Sequence, residues 1–288
     1  MSTVASAPGK IVLAGEYAVL WDAPAISMAV NRRALATASS NESGECRLAT
    51  PGFAGGDGFR IVDAVVNNSR PACDLELDTT AFMDNGKKTG IGSSAALTVA
   101  LLAALKESTN VYEEALAAHD RLQGGVGSGV DVASAVHGGL IEYERANRSV
   151  RAFSWPQGLA FRVIWTGVPA STAKRIEHLA NQARRASRSA LLLAAPRMRD
   201  SWVSGQADAI LTEYVSYIGV LRQFSVDHDL GIFDAGHDEL TDTAMADGLV
   251  YKPAGAGGGD IGILFGREAA DLDAFLQRRA GLVHGVLP

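Results

Sequence analysis

Thirty-one of the 288 residues are glycine, and four groups of them stand out: Gly9 to Gly15, Gly90 to Gly92, Gly124 to Gly129 and Gly255 to Gly259. Glycine loses more backbone freedom on folding than any other residue, so such groups mark positions where a turn or a close backbone approach needs them. The rest of the composition narrows the class. Apolar residues make up 47 % and charged residues 20 %, a globular balance that excludes disordered and fibrous chains. With 26 basic and 32 acidic side chains the net charge is −6, so no nucleic acid is expected to be held by bulk positive charge. An anionic small ligand stays compatible, because local cations and backbone amides override the total. The longest apolar run, Ala95 to Leu105, is about half of what a bilayer crossing requires, and no membrane partner is expected. Lys10 and Glu16 interrupt the first apolar residues, unlike a secretory leader. Cys46 and Cys73 are too few for a disulfide framework and fit no zinc spacing. The expectation is a soluble protein of a reducing cytoplasm.

Periodicity predicts short apolar strands at Ile11–Leu13 and Ala25–Val30, and a further alternating strand at Ala34–Ser39. Asn41 to Asp57, rich in Ser, Gly and charge, reads as loop or hairpin. A helix over Phe59–Asn67 and a strand at Asp74–Asp78 follow. Ser93–Lys106, rich in Ala and Leu with serine at its start, is the clearest helix. Helices at Val111–Gln123 and Val130–Val136 and a strand at Leu140–Tyr143 complete a first half. Ser154 to Gly158 reads as a linker, giving two α+β domains, 1–157 and 158–288. The second half begins with a strand at Phe161–Trp165. Helices are predicted at Thr172–Ala186, Ala190–Leu193 and Ala207–Phe224, with a break near Pro196. A helix at Asp238–Ala246, two strands around a glycine turn within Leu249–Phe265, and a helix at Glu268–Arg279 end the chain.

Three segments carry chemistry. Thr89-Gly90-Ile91-Gly92-Ser93-Ser94-Ala95-Ala96 opens directly into the clearest helix, where unpaired N–H groups and the positive dipole end meet. Glycines let a phosphate approach that backbone, serine hydroxyls can add hydrogen bonds or a magnesium contact, and Lys87 and Lys88 add positive charge. A serine-capped helix after a glycine turn is the equally open plain reading. The dinucleotide fingerprint fits poorly, since Asp84 to Lys88 is no buried strand, and the Walker pattern is absent. In Gly124 to Asp131, the Asp131 carboxylate on a first helical turn suits a substrate hydroxyl or magnesium, or simply answers the helix dipole. Asp120, eleven residues earlier, reads alone as a solvated carboxylate. Lys252 to Asp260 places four glycines in five positions, more than a hairpin needs, and suggests backbone against a ligand or a mobile loop. The six histidines, His119, His137, His178, His228, His237 and His284, show no metal-ligand spacing. Arg184, Arg185, Arg188, Arg197 and Arg199 form a solvated helix face or a rim for an anionic substrate.

In this order, Ser6-Ala-Pro-Gly-Lys10 with Gly15-Glu-Tyr17, then Gly90-Ile-Gly-Ser-Ser-Ala-Ala96, then Lys252 to Asp260, the segments resemble the three motifs of the GHMP kinase family. Leu13 to Leu20, Asn31 to Arg33, Gln123 to Ala133 and Trp165-Thr-Gly167 with Ala170-Ser-Thr172 are similar to the branch acting on 5-phosphomevalonate. Gly125 and Val130 stand where that branch usually has lysine and phenylalanine. The resemblance implies an α+β, two-domain fold: an N-terminal α/β nucleotide-binding domain and a C-terminal ferredoxin-like α+β domain. It implies ATP and Mg²⁺ as cofactors, phosphomevalonate as the small-molecule partner, and a monomer or homodimer.

Residue by residue, the resemblance implies ATP phosphates on Lys88, Gly90, Ile91, Gly92, Ser93, Ser94 and Ala95, with magnesium near Ser94 and Asp120. Lys10 steadies the transferred group. Asp131 accepts a proton if the acceptor is a hydroxyl, but orients Lys10 if the acceptor is an already anionic phosphate. Glu16, Tyr17, Arg32, Ser128, Gly129, Ser171, Ala256, Gly257 and Gly258 are implied on the acceptor side. Alternatives are phosphorylation of mevalonate, a mevalonate-phosphate decarboxylase, and a non-catalytic nucleotide sensor on the same fold.

Overall fold

The computed structural model describes residues 2–52, 57–106, 110–182, 185–279 and 285–287. Its contacts divide the chain into two units, Met1–Ile11 with Met28–Ile141, and Val12–Ser27 with Glu142–Pro288. The boundaries cut through strands, so β1 (Ser2–Ala14) and β2 (Ala25–Ser40) each contribute to both. The two strands predicted at Ala25–Val30 and Ala34–Ser39 are one. Asn31 and Arg33 break the apolar pattern but stay exposed, and a strand with an open face tolerates polar residues there.

In the first unit β2 pairs antiparallel with β4 (Cys73–Asp78), from Leu35 opposite Asp78 to Ser40 opposite Cys73. A short β3 (Arg47–Ala49) pairs parallel with β4, inside the stretch predicted as loop or hairpin. α1 (Asp57–Val66) precedes β4, and a small hairpin, β5 (Met83–Asp84) and β6 (Lys87–Lys88), precedes the glycine loop. α2 (Ser93–Leu105), α3 (Val111–Gln123) and α4 (Val130–His137) follow, before β7 (Leu140–Glu144). α2 packs against α1, α3 and α4. Its small and aliphatic side chains suit that place: nine consecutive or near-consecutive positions from Ala95 to Ala104 are buried, so no polar face is required.

The second unit contains β8 (Ser149–Phe153), β9 (Ala160–Trp165), α5 (Thr172–Ala180), α6 (Ala186–Ser204), α7 (Ala207–Asp227), α8 (His237–Ala246), β10 (Val250–Pro253), β11 (Ile261–Gly266), α9 (Ala269–Arg278) and β12 (Gly285–Leu287). The sheet order is β10-β11-β9-β12 with every pairing antiparallel, the ferredoxin-like arrangement. Both faces of β11 are covered. Leu264 packs with Ile164, Leu240, Tyr251, Leu272 and Phe275, while Phe265 stacks on Tyr214 at 4.9 Å and meets Trp202 edge-on.

Two helices depart furthest from the sequence reading. α5 stops at Ala180, where Gln182 turns to donate to the His228 carbonyl at 2.8 Å. α6 runs unbroken through Pro196. Leu191, Ala194, Ala195, Met198 and Trp202 are buried on both sides of that proline, and packing against α7 outweighs the one lost backbone hydrogen bond.

Candidate active site

Lys10 is fixed by its strand before its side chain does anything. Its backbone N–H donates to the Ile91 carbonyl at 2.8 Å, which docks β1 on the glycine loop. Gly9 makes this possible: a Cβ there would lie 2.5 Å from the Ile91 oxygen and 2.6 Å from the Phe82 ring. The loop itself is anchored by buried Thr89, whose N–H and hydroxyl both reach the Phe82 carbonyl, and by buried Ile91. The Lys10 stem crosses Gly92, with Cγ 3.0 Å from where a Cβ would stand.

Gly92, not a serine, is the N-cap of α2, and no side chain caps that end. The first helical bond runs from Ala96 N–H to the Gly92 carbonyl. The amides of Ser93, Ser94 and Ala95 precede it and therefore point out of the helix end, where the dipole is positive. Ser93 and Ser94 are half-buried, Gly90 is exposed, and Lys88 is exposed on β6.

Lys10 Nζ lies 3.2 Å from Asp131 Oδ1. Asp131 sits in the first turn of α4, whose N-cap is Gly129, and both side chains keep some solvent access, 12 % and 29 %. Ser128 and Gly129 lead into that turn, half-buried. Asp120, in the last turn of α3, is exposed. Next to it His119 is buried, and burial pulls its imidazolium pKa down, countered by the Asp131 charge. Lys10, Asp131 and the α2 loop are thus assembled within one unit, with His119 close enough to feel both charges. Arg32 donates to the Ala81 carbonyl at 3.2 Å. His119 was not singled out from sequence; its only signal was its place on the buried face of α3 beside Ala115 and Leu116.

The second unit gathers another set. Glu16 is buried and its Oε1 lies 2.5 Å from Nζ of fully buried Lys252, a charge contact without the alignment of a hydrogen bond. Tyr217 donates its hydroxyl hydrogen to Glu16 Oε2 at 3.1 Å and accepts from the Gly15 N–H at 3.0 Å. Tyr17 donates to the Ala256 carbonyl at 2.6 Å, and burial drives its phenol pKa far up. The glycine turn is held rather than loose. The Gly258 N–H reaches the Ile232 carbonyl at 2.7 Å, and Arg175 donates to the carbonyls of Leu230 and Gly258. Asp260 N–H bonds the Val168 carbonyl at 2.7 Å, and its carboxylate accepts from Ala170 N–H at 2.9 Å. Adjacent Ser171 is exposed and caps α5, accepting from Lys174 N–H.

Three arginines of the basic stretch are committed locally. Arg199 pairs with Glu142 and Asp200, Arg197 with Glu213, and the Arg188 guanidinium lies 3.7 Å above the Trp21 ring. Arg184 and His284 lie outside the described residues. Among the described residues no group of three or more His, Cys, Asp or Glu could hold a metal ion, and no helix is long and apolar enough to cross a membrane.

Residues 60–139 match the profile of the GHMP kinases N terminal domain. A phosphomevalonate kinase of Streptomyces sp. (strain CL190) is 30 % identical over 99 % of this chain and 95 % of its own. A mevalonate kinase of Methanothermobacter thermautotrophicus is 35 % identical, over 53 % of this chain and 54 % of that one. In fold, the chain is similar to Streptococcus pneumoniae phosphomevalonate kinase in complex with phosphomevalonate and AMPPNP, with TM-score 0.82, 18 % identity and 99 % of each chain covered. With a relative of 30 % identity spanning nearly its whole length, the chain belongs to the GHMP kinase family.

Proposed function

We propose that this chain transfers the terminal phosphoryl group of ATP to 5-phosphomevalonate, giving 5-diphosphomevalonate and ADP. The observation that carries the reading is the Lys10–Asp131 pair at 3.2 Å, held against the glycine loop by the Lys10 backbone. Phosphoryl transfer needs positioning and charge neutralisation more than covalent chemistry. The α2 amides of Ser93, Ser94 and Ala95 hold the triphosphate, with Lys88 beside them. Lys10 neutralises charge building on the transferred group. The attacking oxygen of a phosphate acceptor is already anionic near neutral pH, so Asp131 has no proton to remove and serves to aim Lys10. Within the first unit Arg32, Ser128 and Gly129 are acceptor contacts; within the second, Tyr17, Ser171 and the Ala256–Gly258 backbone take that part, with Glu16 paired to Lys252.

Magnesium takes oxygen donors, and half-buried Ser94 and exposed Asp120 each offer one. Mg²⁺ keeps phosphate oxygens and waters as most of its ligands, so a site of one or two protein oxygens is enough. Ser94 and Asp120 would hold it, and bound there it would neutralise phosphate charge.

A specific likeness supports a second reading, phosphorylation of mevalonate itself: the 35 % identical relative is a mevalonate kinase. ADP release measured across mevalonate, 5-phosphomevalonate, 5-diphosphomevalonate, galactose and homoserine separates the two. The proposal expects turnover with 5-phosphomevalonate above all others. Preference for mevalonate would overturn it, and ATP binding without turnover of any acceptor would mark a sensor.

A further inference from the structure

His237 opens α8, is fully buried, and has both ring nitrogens engaged. Nε2 lies 3.0 Å from the Gly259 carbonyl oxygen, and Nδ1 lies 2.8 Å from the Tyr251 hydroxyl. A carbonyl only accepts, so the ring hydrogen is on Nε2, and Nδ1 accepts the hydrogen of Tyr251. That assignment follows from the chemistry of the partners. Tyr251 is itself fully buried on β10, and Gly262 of β11 leaves room for its hydroxyl, since a Cβ there would stand 2.1 Å from it. The relay therefore runs from β10 through α8 to the glycine turn.

Gly259 is where the turn most needs support. Its φ is +140°, a conformation side chains rarely adopt, and a Cβ would come within 2.5 Å of the Val168 carbonyl. Three successive glycines have soft dihedrals, so the peptide planes are set by what holds them from outside. Arg175 holds the Gly258 carbonyl at 3.4 Å, and His237 holds the Gly259 carbonyl at 3.0 Å. Rotating the Gly259 peptide would also break the Asp260 N–H bond to Val168.

We infer that His237 is a positioning residue for acceptor binding: through the Tyr251–His237–Gly259 relay it fixes the backbone plane of the Ala256–Gly259 turn. The inference rests on the reading of that turn as acceptor contact. His237 touches no reacting atom. The Asp260 N–H holds one side of that peptide plane through Val168 and His237 holds the other, since glycine carries no side chain to lock it.

Steady-state kinetics of His237→Leu, His237→Gln and Tyr251→Phe test it, using whichever acceptor the wild-type protein turns over, with acceptor Kd by calorimetry as a turnover-free check. Loss of one buried hydrogen bond corresponds to about a tenfold effect, so His237→Leu is expected to raise acceptor KM about tenfold while ATP KM and kcat stay within about threefold. His237→Gln restores an amide donor near Nε2 and is expected to return acceptor KM to within about threefold of wild type. Tyr251→Phe keeps the packing and is expected to raise acceptor KM about threefold, which keeps the test decisive should the leucine variant not fold. An unchanged acceptor KM in Tyr251→Phe, ATP and acceptor KM rising together, or Gln no better than Leu would overturn the inference. Preference of the wild type for mevalonate would overturn the substrate reading alone, and the same comparison then runs on mevalonate.

Discussion

Lys10 illustrates how little of a kinase residue's importance lies in stability. Its ion pair with Asp131 is partly solvated, and such pairs contribute at most about 1 kcal/mol. Lys10→Met is therefore expected to keep the urea midpoint close to wild type while kcat falls about a thousandfold. Asp131→Asn is expected to cost only about tenfold to a hundredfold, since an aiming role survives in part; a loss equal to that of Lys10→Met would identify a proton acceptor. His237 shows the opposite balance. Burial, with Lys252 and Arg175 adding to it against the Gly259 carbonyl, holds its pKa down from 6.5 to about 4. Below pH 6.5 the unfolded chain takes up a proton that the folded chain refuses, so this contribution is full above pH 6.5. It is lost as pH falls toward 4, by an amount on the order of 3 kcal/mol. Urea unfolding at pH 7 and pH 4.5 should show a shallower decline for His237→Gln than for wild type, and equal declines would contradict the assignment. Lys10 was singled out only through the resemblance of its Ser6–Lys10 segment to a family motif. His237 was not, because its partners are Tyr251 and Gly259, fourteen and 22 residues away.

At the scale of elements, the strongest local patterns were readable and the overridden ones were not. α3 spans Val111–Gln123, as its helical spacing predicts, because an apolar face, acidic first turn and Gly124 exit all agree. β8 was missed although Ser149-Val150-Arg151-Ala152 alternates, because the strand is five residues long and none of them is buried. Pro196 misled for a different reason: the local cost of proline is real, but buried neighbours on either side keep α6 continuous through it. The docking of β1 on the glycine loop gives a prediction at this scale. Gly9→Ala forces a methyl group against the Ile91 carbonyl and the Phe82 ring. It is expected to destabilise the fold by about 1–3 kcal/mol and to raise ATP KM with it, measured by urea unfolding and kinetics on the same variant. Unchanged ATP KM would separate the loop from nucleotide binding.

For the whole molecule, the order of three glycine-bearing segments was enough to suggest the family, whereas their long-range partners had no local trace. Tyr214 donates to the Leu13 carbonyl, and Tyr217 meets Gly15 and Glu16, across about 200 residues of sequence. Such pairings place residues 12–27 among the contacts of the second unit. They also turn Glu16 inward toward Lys252, a partner that no spacing reveals. The central claim is simpler: uncapped amides at the start of α2 grip the phosphates of ATP. Amide NMR during titration with a non-hydrolysable ATP analogue and magnesium tests it most directly. The largest shifts should fall on Ser93, Ser94 and Ala95; saturation with those three amides unmoved would contradict the account.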